Sequence, residues 1–234
     1  MGTDIHAAIE YRESSEHPWI ALTHLNKYFG RWEGEPELTA RIQIDRDYDL
    51  FAILANVRNG RGFAGVVTGD GFNFIAPPRG LPVDITPEAA EFGCTGDHSG
   101  SWLSLADILD FDWEQTATLR GVVDAPNFEY FDRMREWNYA PREWSGDVSG
   151  GSVKKVSNEE MRDAIKNIAR SSAADNLQIA SLLKREFPNL YTSVCWTKSY
   201  ARCAEQMWTA ILPPMLKLMR HGLGNVRLVM NFDS

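Results

Sequence analysis

The chain has 234 residues, 44% of them hydrophobic, and a formal net charge of −8. That length and apolar content suit one domain with a sizeable core and exclude a disordered chain. The acidic balance argues against broad attraction to nucleic acid or an anionic membrane surface, although a few arginines in one pocket suffice to hold a small anion.

The first elements follow from periodicity. Ile5, Ala7, Ile9 and Tyr11 fall on one face of a strand, and Asp4, His6, Ala8, Glu10 and Arg12 on the other. Glu13 to Pro18 supplies turn residues, and Trp19 to Leu25 returns as the second strand of a hairpin. Residues 26–45 read as loop and short strand. Asp47 is placed to cap a helix over Tyr48 to Arg58, with Leu50, Phe51, Leu54 and Val57 inward and Asn59-Gly60 as its stop. The stretch 59–100 is rich in glycine and proline and predicts a long functional or mobile loop region. Short helices are expected over Ser101 to Leu109 and Asn127 to Trp137.

Gly146 to Ser152 reads as a linker or flexible loop. After it the pattern turns helical, so that 150–222 is expected to be a helical segment within one domain spanning 1–234. Ser157-x-x-Glu160 forms a capping box before Met161, Ile165 and Ile168. A second helix carries Leu177, Ala180, Leu183 and Phe187. The longest stripe runs from Tyr200 through Cys203, Met207 and Ile211 to Met219, with a break expected at Pro213-Pro214. Val226 to Asp233 alternates again, with Val226, Leu228, Met230 and Phe232 on one face. The expected fold is therefore α+β: an antiparallel sheet that includes the N- and C-terminal strands and is packed with helices.

Cys94, Cys195 and Cys203 form no CxxC pair, which suits a reducing compartment, and Cys203 lies on an apolar stripe as a buried thiol. The first residues lack a basic region followed by an apolar stretch, and no run approaches 18 apolar residues. A cytoplasmic location without membrane association is the expectation, and a homo-oligomer is compatible with it.

Several constellations can carry chemistry. Asp4-x-His6 puts a carboxylate and an imidazole on one strand face, roughly 6–7 Å apart. That suits two metal ligands, a base with its orienting partner, or simply a polar sheet surface. Asp97-His98-Ser99-Gly100-Ser101-Trp102 concentrates a carboxylate, an imidazole, two hydroxyls and an indole at a loop-to-helix junction. Asp97 and His98 can join Asp4 and His6 around a divalent metal, or His98 can act as a base; the stretch lacks the elbow of a serine nucleophile. Arg46, Arg58 and Arg79 stand among glycines, prolines and aromatics. Arg79 lies in Pro77-Pro78-Arg79-Gly80-Leu81-Pro82, a stiff mount for a guanidinium fork that receives phosphate or carboxylate, or pairs with Asp84 or Asp97 to fasten the loop. Gly60-x-Gly62-x-x-Gly65 follows a helix instead of opening one, so the dinucleotide-binding reading is rejected.

Met1-Gly2-Thr3-Asp4-Ile5-His6, Arg46-Asp47-Tyr48-Asp49-Leu50-Phe51, Arg79-Gly80-Leu81-Pro82 and Asp97-His98-Ser99-Gly100-Ser101-Trp102-Leu103 together resemble a family of uncharacterised phage and bacterial proteins. Members begin Met-Gly-x-Asp-Ile-His and end in a strand like Val226 to Asp233. The resemblance implies that Asp4, His6, Arg46, Tyr48, Arg79, Asp97 and His98 belong to one site, and a phage setting suggests the handling of host or defence small molecules.

These readings leave binding and catalysis both open. In the first, a small phosphorylated, nucleotide-like ligand, such as a host immune signal to be sequestered, contacts Arg46, Tyr48, Arg58, Arg79, Ser99, Ser101 and Trp102. In the second, a metal-dependent hydrolase or phosphodiesterase uses His6, His98 and Asp97 in catalysis, with Asp4, His6, Asp97 and His98 holding a divalent metal. The third is a module that inhibits a host enzyme through its acidic, aromatic surface.

Overall fold

A computed structural model describes residues 2–25, 38–90, 98–137, 139–171 and 176–233. In chain order the elements are β1 (Asp4–Tyr11), β2 (Ile20–Ala21), β3 (His24–Leu25), β4 (Leu38–Thr39), α1 (Tyr48–Ala55), α2 (Pro87–Ala90), β5 (His98–Ser104), α3 (Leu105–Asp110), β6 (Thr116–Asp124), α4 (Ala125–Met134), β7 (Lys154–Lys155), α5 (Asn158–Ser171), α6 (Asn176–Glu186), β8 (Leu190–Ser199), α7 (Tyr200–Cys203), α8 (Leu212–Lys217) and β9 (Val226–Asp233). The protein is α+β. Among the described residues no helix is long and apolar enough to cross a membrane.

The chain divides into two compact units: Met1–Asn59, Phe72–Glu114 and Ala201–Ser234 form the first, and Gly60–Gly71 and Gln115–Tyr200 the second. In the first, four strands make an antiparallel sheet in the order β2-β1-β9-β5. The terminal strands pair along their whole length, from Asp4 opposite Asp233 to Tyr11 opposite Val226. Alternation then places Ile5, Ala7, Ile9, Val226, Leu228, Met230 and Phe232 on one buried face. Helix α1 covers that face. Asp47 caps it by accepting the Leu50 N–H at 3.1 Å, and Leu50, Phe51, Ile53 and Leu54 are fully buried. The helix ends earlier than Asn59, because Asn56 turns left-handed (φ 58°) and donates its N–H back to the last turn.

The second face of this sheet is also covered, although its alternation suggested a polar surface. Glu10, Arg227, Asn231 and His6 are all buried there, around a floor made by Ala8 and Val229. Part of the proline-rich stretch forms the cover. Thr86 donates its N–H to Glu10 at 2.7 Å, and Asp84 accepts from Arg227 at 2.8 Å. A segment rich in proline loses less entropy when it is fixed in this way.

In the second unit β6, β8 and β7 form a sheet in the order β6-β8-β7. Leu190–Ser199, within the stretch expected to be helical, is a strand, because Leu190, Thr192, Val194 and Trp196 alternate inward. Ser157 and Glu160 form the expected capping box at the start of α5. Arg162 of α5 grips Asp132 of α4 with two hydrogen bonds, 3.0 and 2.8 Å. In the first unit the long apolar stripe breaks ahead of Pro213-Pro214. A wide turn over Met207–Ile211, in which the Leu212 N–H reaches Met207 O, leads into α8.

Candidate functional site

One end of the four-stranded sheet gathers most of the charged candidates. β1 presents Asp4 and His6 on the covered face, and β9 brings Asn231 and Asp233 beside them. His6 Nε2 lies 3.1 Å from Asp233 Oδ2, and the other carboxylate oxygen accepts the Asp4 backbone N–H at 3.0 Å. Burial pushes the Asp233 carboxyl up, but the hydrogen bonds from His6 and from Asp4 N–H outweigh it and hold the group below its usual value. Asp233 therefore stands as a fixed carboxylate whose partner is an imidazole. His6 itself is 9% exposed, and its Nδ1 has no hydrogen-bond partner among the described residues.

Arg46 approaches the same strand from the residues before α1. Its Nε and Nη2 donate to the two Asp4 oxygens at 2.9 and 2.7 Å, a fork-on-fork pair that raises the guanidinium pKa. Gly2 lies against this guanidinium so closely that a Cβ there would sit 2.1 Å from Nη1 and would push the end of the Arg46 side chain aside. Thr3, buried next to it, donates its N–H to the Tyr48 hydroxyl at 3.3 Å and accepts from Arg58 Nε at 2.9 Å. Arg58 also stands over the Tyr48 ring at 5.6 Å. Its backbone is left-handed (φ 56°), and so is that of Ser99 (φ 55°); such conformations cost of order 1–3 kcal/mol for residues with side chains and gather at functional positions.

The other candidates lie apart from this group. His98 aligns with Phe232 in the register and stacks on its ring at 6.3 Å, on the apolar face and not beside His6. Its Nδ1 is 2.9 Å from Ser99 Oγ, at an irregularity in β5. This stretch is strand, where a loop-to-helix junction was expected, and the helix begins only at Leu105, capped by Ser104. Asp97 lies outside the described residues. Among the described residues no group of three His, Cys, Asp or Glu side chains is placed to hold a metal ion.

Arg79 does fasten its loop, through a partner the spacing did not reveal. It donates to both oxygens of Asp107 at 2.8 and 3.1 Å, covers the Trp102 ring at 4.6 Å, and its backbone N–H reaches Ser101 Oγ at 3.2 Å. Its hydrogen bond is the main reason the Asp107 carboxyl is held low. The pH consequence has a definite sign. A lowered folded pKa adds stability above the ordinary Asp value of about 3.9, and this is lost as pH falls through the lower folded value. Urea midpoints of the wild type and Asp107→Asn should therefore differ at neutral pH and converge in acid; a gap that persists below the folded value would contradict the pair's role.

The buried pair Glu10–Arg227 is a feature the strand pattern hid. Arg227 Nε donates to Glu10 at 2.7 Å, and the guanidinium lies 3.8 Å from the Trp19 ring centre. Trp19 in turn donates to Asp84 at 2.9 Å. These groups are saturated by one another and hold the cover on the sheet, a structural task. Comparison with protein families, with curated proteins and with solved structures gave no match to the chain.

Proposed function

We propose that the chain binds a small phosphorylated, nucleotide-like ligand at the sheet end where Arg46 meets Asp4 and where Tyr48 and Arg58 meet Thr3. The observation that supports this most is the Arg46–Asp4 fork. Both side chains are 49% exposed, and exposed ion pairs of this kind contribute little to stability. A phosphate has the same bidentate geometry as the carboxylate and a larger charge, so it can take the place of Asp4 on Arg46. Tyr48 supplies an aromatic ring beside the anion site, and Arg58 a second cation. Arg79, Ser101 and Trp102 are engaged with one another and with Asp107, and contribute a stiff wall more than free donors. In the phage setting that the sequence motifs suggest, the ligand class fits a nucleotide immune signal held out of circulation.

The test uses a panel of cyclic and linear nucleotides. The protein is incubated with each, freed of unbound ligand and denatured, and the supernatant is analysed. Intact nucleotide is the expected product; no retention across the panel would sink the reading and leave an inhibitory protein contact as the better account. A second reading is favoured by the His6–Asp233 pair, which has the form of a general base and its orienting carboxylate. On that reading the supernatant contains a hydrolysed nucleotide, and added divalent metal decides whether a metal takes part.

A further inference from the structure

The covered face of the four-stranded sheet contains a small hollow. It has a volume of about 20 Å3 and is lined by His6, Ala8, Leu81, Ile85, Ala89 and Asn231 among others. That is room for one water molecule, which needs at least about 10–15 Å3, and far too little for a sugar or a base. The lining is mostly methyl and methylene groups, with His6 and Asn231 as its polar members.

The protonation pattern of His6 follows from its neighbours. Asp233 has one oxygen fixed by the Asp4 N–H and the other 3.1 Å from His6 Nε2. A carboxylate only accepts, so Nε2 must carry the proton. In the neutral ring the lone pair then resides on Nδ1, the buried atom with no partner among the described residues. Leaving such an atom unsatisfied is costly, and buried polar atoms are regularly paired with ordered water. The ring that bears it lines a hollow of water size.

We infer that the hollow is a binding site for one hydrogen-bond donor, a water molecule, which donates to His6 Nδ1, and that Asp233 is the positioning residue that fixes His6 in this tautomer. Asp233, imidazole and water then form a line in which the imidazole can take a proton from the water while the carboxylate steadies the charge. The inference stands on the imidazole alone and does not require the phosphate site proposed above.

Nitrogen NMR of protein labelled in its histidine rings tests it without any ligand. His6 signals are identified by their loss in His6→Gln. At a pH high enough to leave the ring neutral, the expected pattern is a protonated Nε2, an unprotonated Nδ1 shifted by an accepted hydrogen bond, and cross-relaxation between water and the ring Hε1. Ala89→Val, which fills the hollow, should remove the water signal and leave the tautomer unchanged. Asp233→Asn should invert the tautomer. The Asp4 N–H keeps the new carbonyl oxygen in place, so the amide NH2 faces Nε2 and the ring proton moves to Nδ1. A protonated Nδ1 in the wild type, or no contact with water, overturns the inference. An unchanged tautomer in folded Asp233→Asn overturns the positioning role. Retention of nucleotide by the wild-type protein is a separate measurement, so failure here is distinguishable from failure of the phosphate reading.

Discussion

Arg227→Ala is expected to lower the free energy of unfolding by about 3–5 kcal/mol, the usual cost of removing one partner of a buried ion pair. Glu10 has no exposed surface and Arg227 only 3%, so the substitution leaves a carboxylate in the interior with no cation beside it. The loss extends beyond one bond. Arg227 also holds Asp84 through its side chain and its carbonyl, at 2.8 and 3.1 Å, and fills the space over Trp19. Residues 84–86 should therefore loosen from the sheet together, and amide exchange at Thr86, whose N–H is bonded to Glu10, should rise with the drop in stability. Replacing both Glu10 and Arg227 by apolar residues of similar volume should recover much of the loss, since a well-packed apolar pair avoids the desolvation cost. Urea denaturation measures each variant. A loss under about 1 kcal/mol for Arg227→Ala would mean that water reaches Glu10, contrary to its burial.

Phe51→Ala should cost a similar amount, about 3–5 kcal/mol, for a different reason. Phe51 is fully buried and meets Phe232 edge-on at 5.3 Å and Tyr48 at 5.9 Å. It therefore links α1 to β9 one residue away from Asp233. Removing the ring leaves a cavity under both Tyr48 and the C-terminal strand. A conservative Phe51→Leu should cost much less, because most of the volume is kept. If alanine and leucine proved equally mild, the packing of α1 on the sheet would be looser than described. If Phe51→Ala also shifts the ring signals of His6, the core and the candidate site are mechanically joined.

The parts of this fold that a reader of the sequence can recover are those carried by periodicity and local capping. Ile5, Ala7 and Ile9, matched by Val226, Leu228, Met230 and Phe232, announce two strands with a shared apolar face, and their pairing follows from economy. Asp47 and the Ser157–Glu160 pair mark helix starts, because side-chain caps act within three residues. What pattern does not carry is partnership at long range. Arg79 finds Asp107 across 28 positions, and Arg227 finds Glu10 across 217; either arginine is as easily read as a free cation. Short strands beside strong helical signals are lost for a related reason. β8 follows two amphipathic helices, and its alternation is diluted by Ser193, Cys195 and Thr197 on the other face. His98 and Ser99 hide within a stretch whose hydroxyls resemble a helix cap.

The candidate site was half legible. Asp4 and His6 on one strand face, and Arg46 and Tyr48 beside a helix start, come from the sequence. Asp233 joins the site only through the pairing of the termini, and its bond to His6 needs the register: Asp4 lies opposite Asp233 and His6 opposite Asn231, so His6 reaches Asp233 diagonally. Thr3 and Gly2 carry no signal by themselves, yet the first anchors Arg58 and the second makes room for Arg46.

The central claim is that Asp4 occupies the place of a ligand anion on Arg46. Calorimetric titration of the wild type and Asp4→Asn with the nucleotide that the panel retains tests it directly. With the internal carboxylate gone, Arg46 is free to receive phosphate, and affinity should rise by on the order of tenfold, the equivalent of one lost competing contact. Unchanged or weaker binding in a folded Asp4→Asn protein would contradict the claim and return the Arg46–Asp4 pair to a purely structural role.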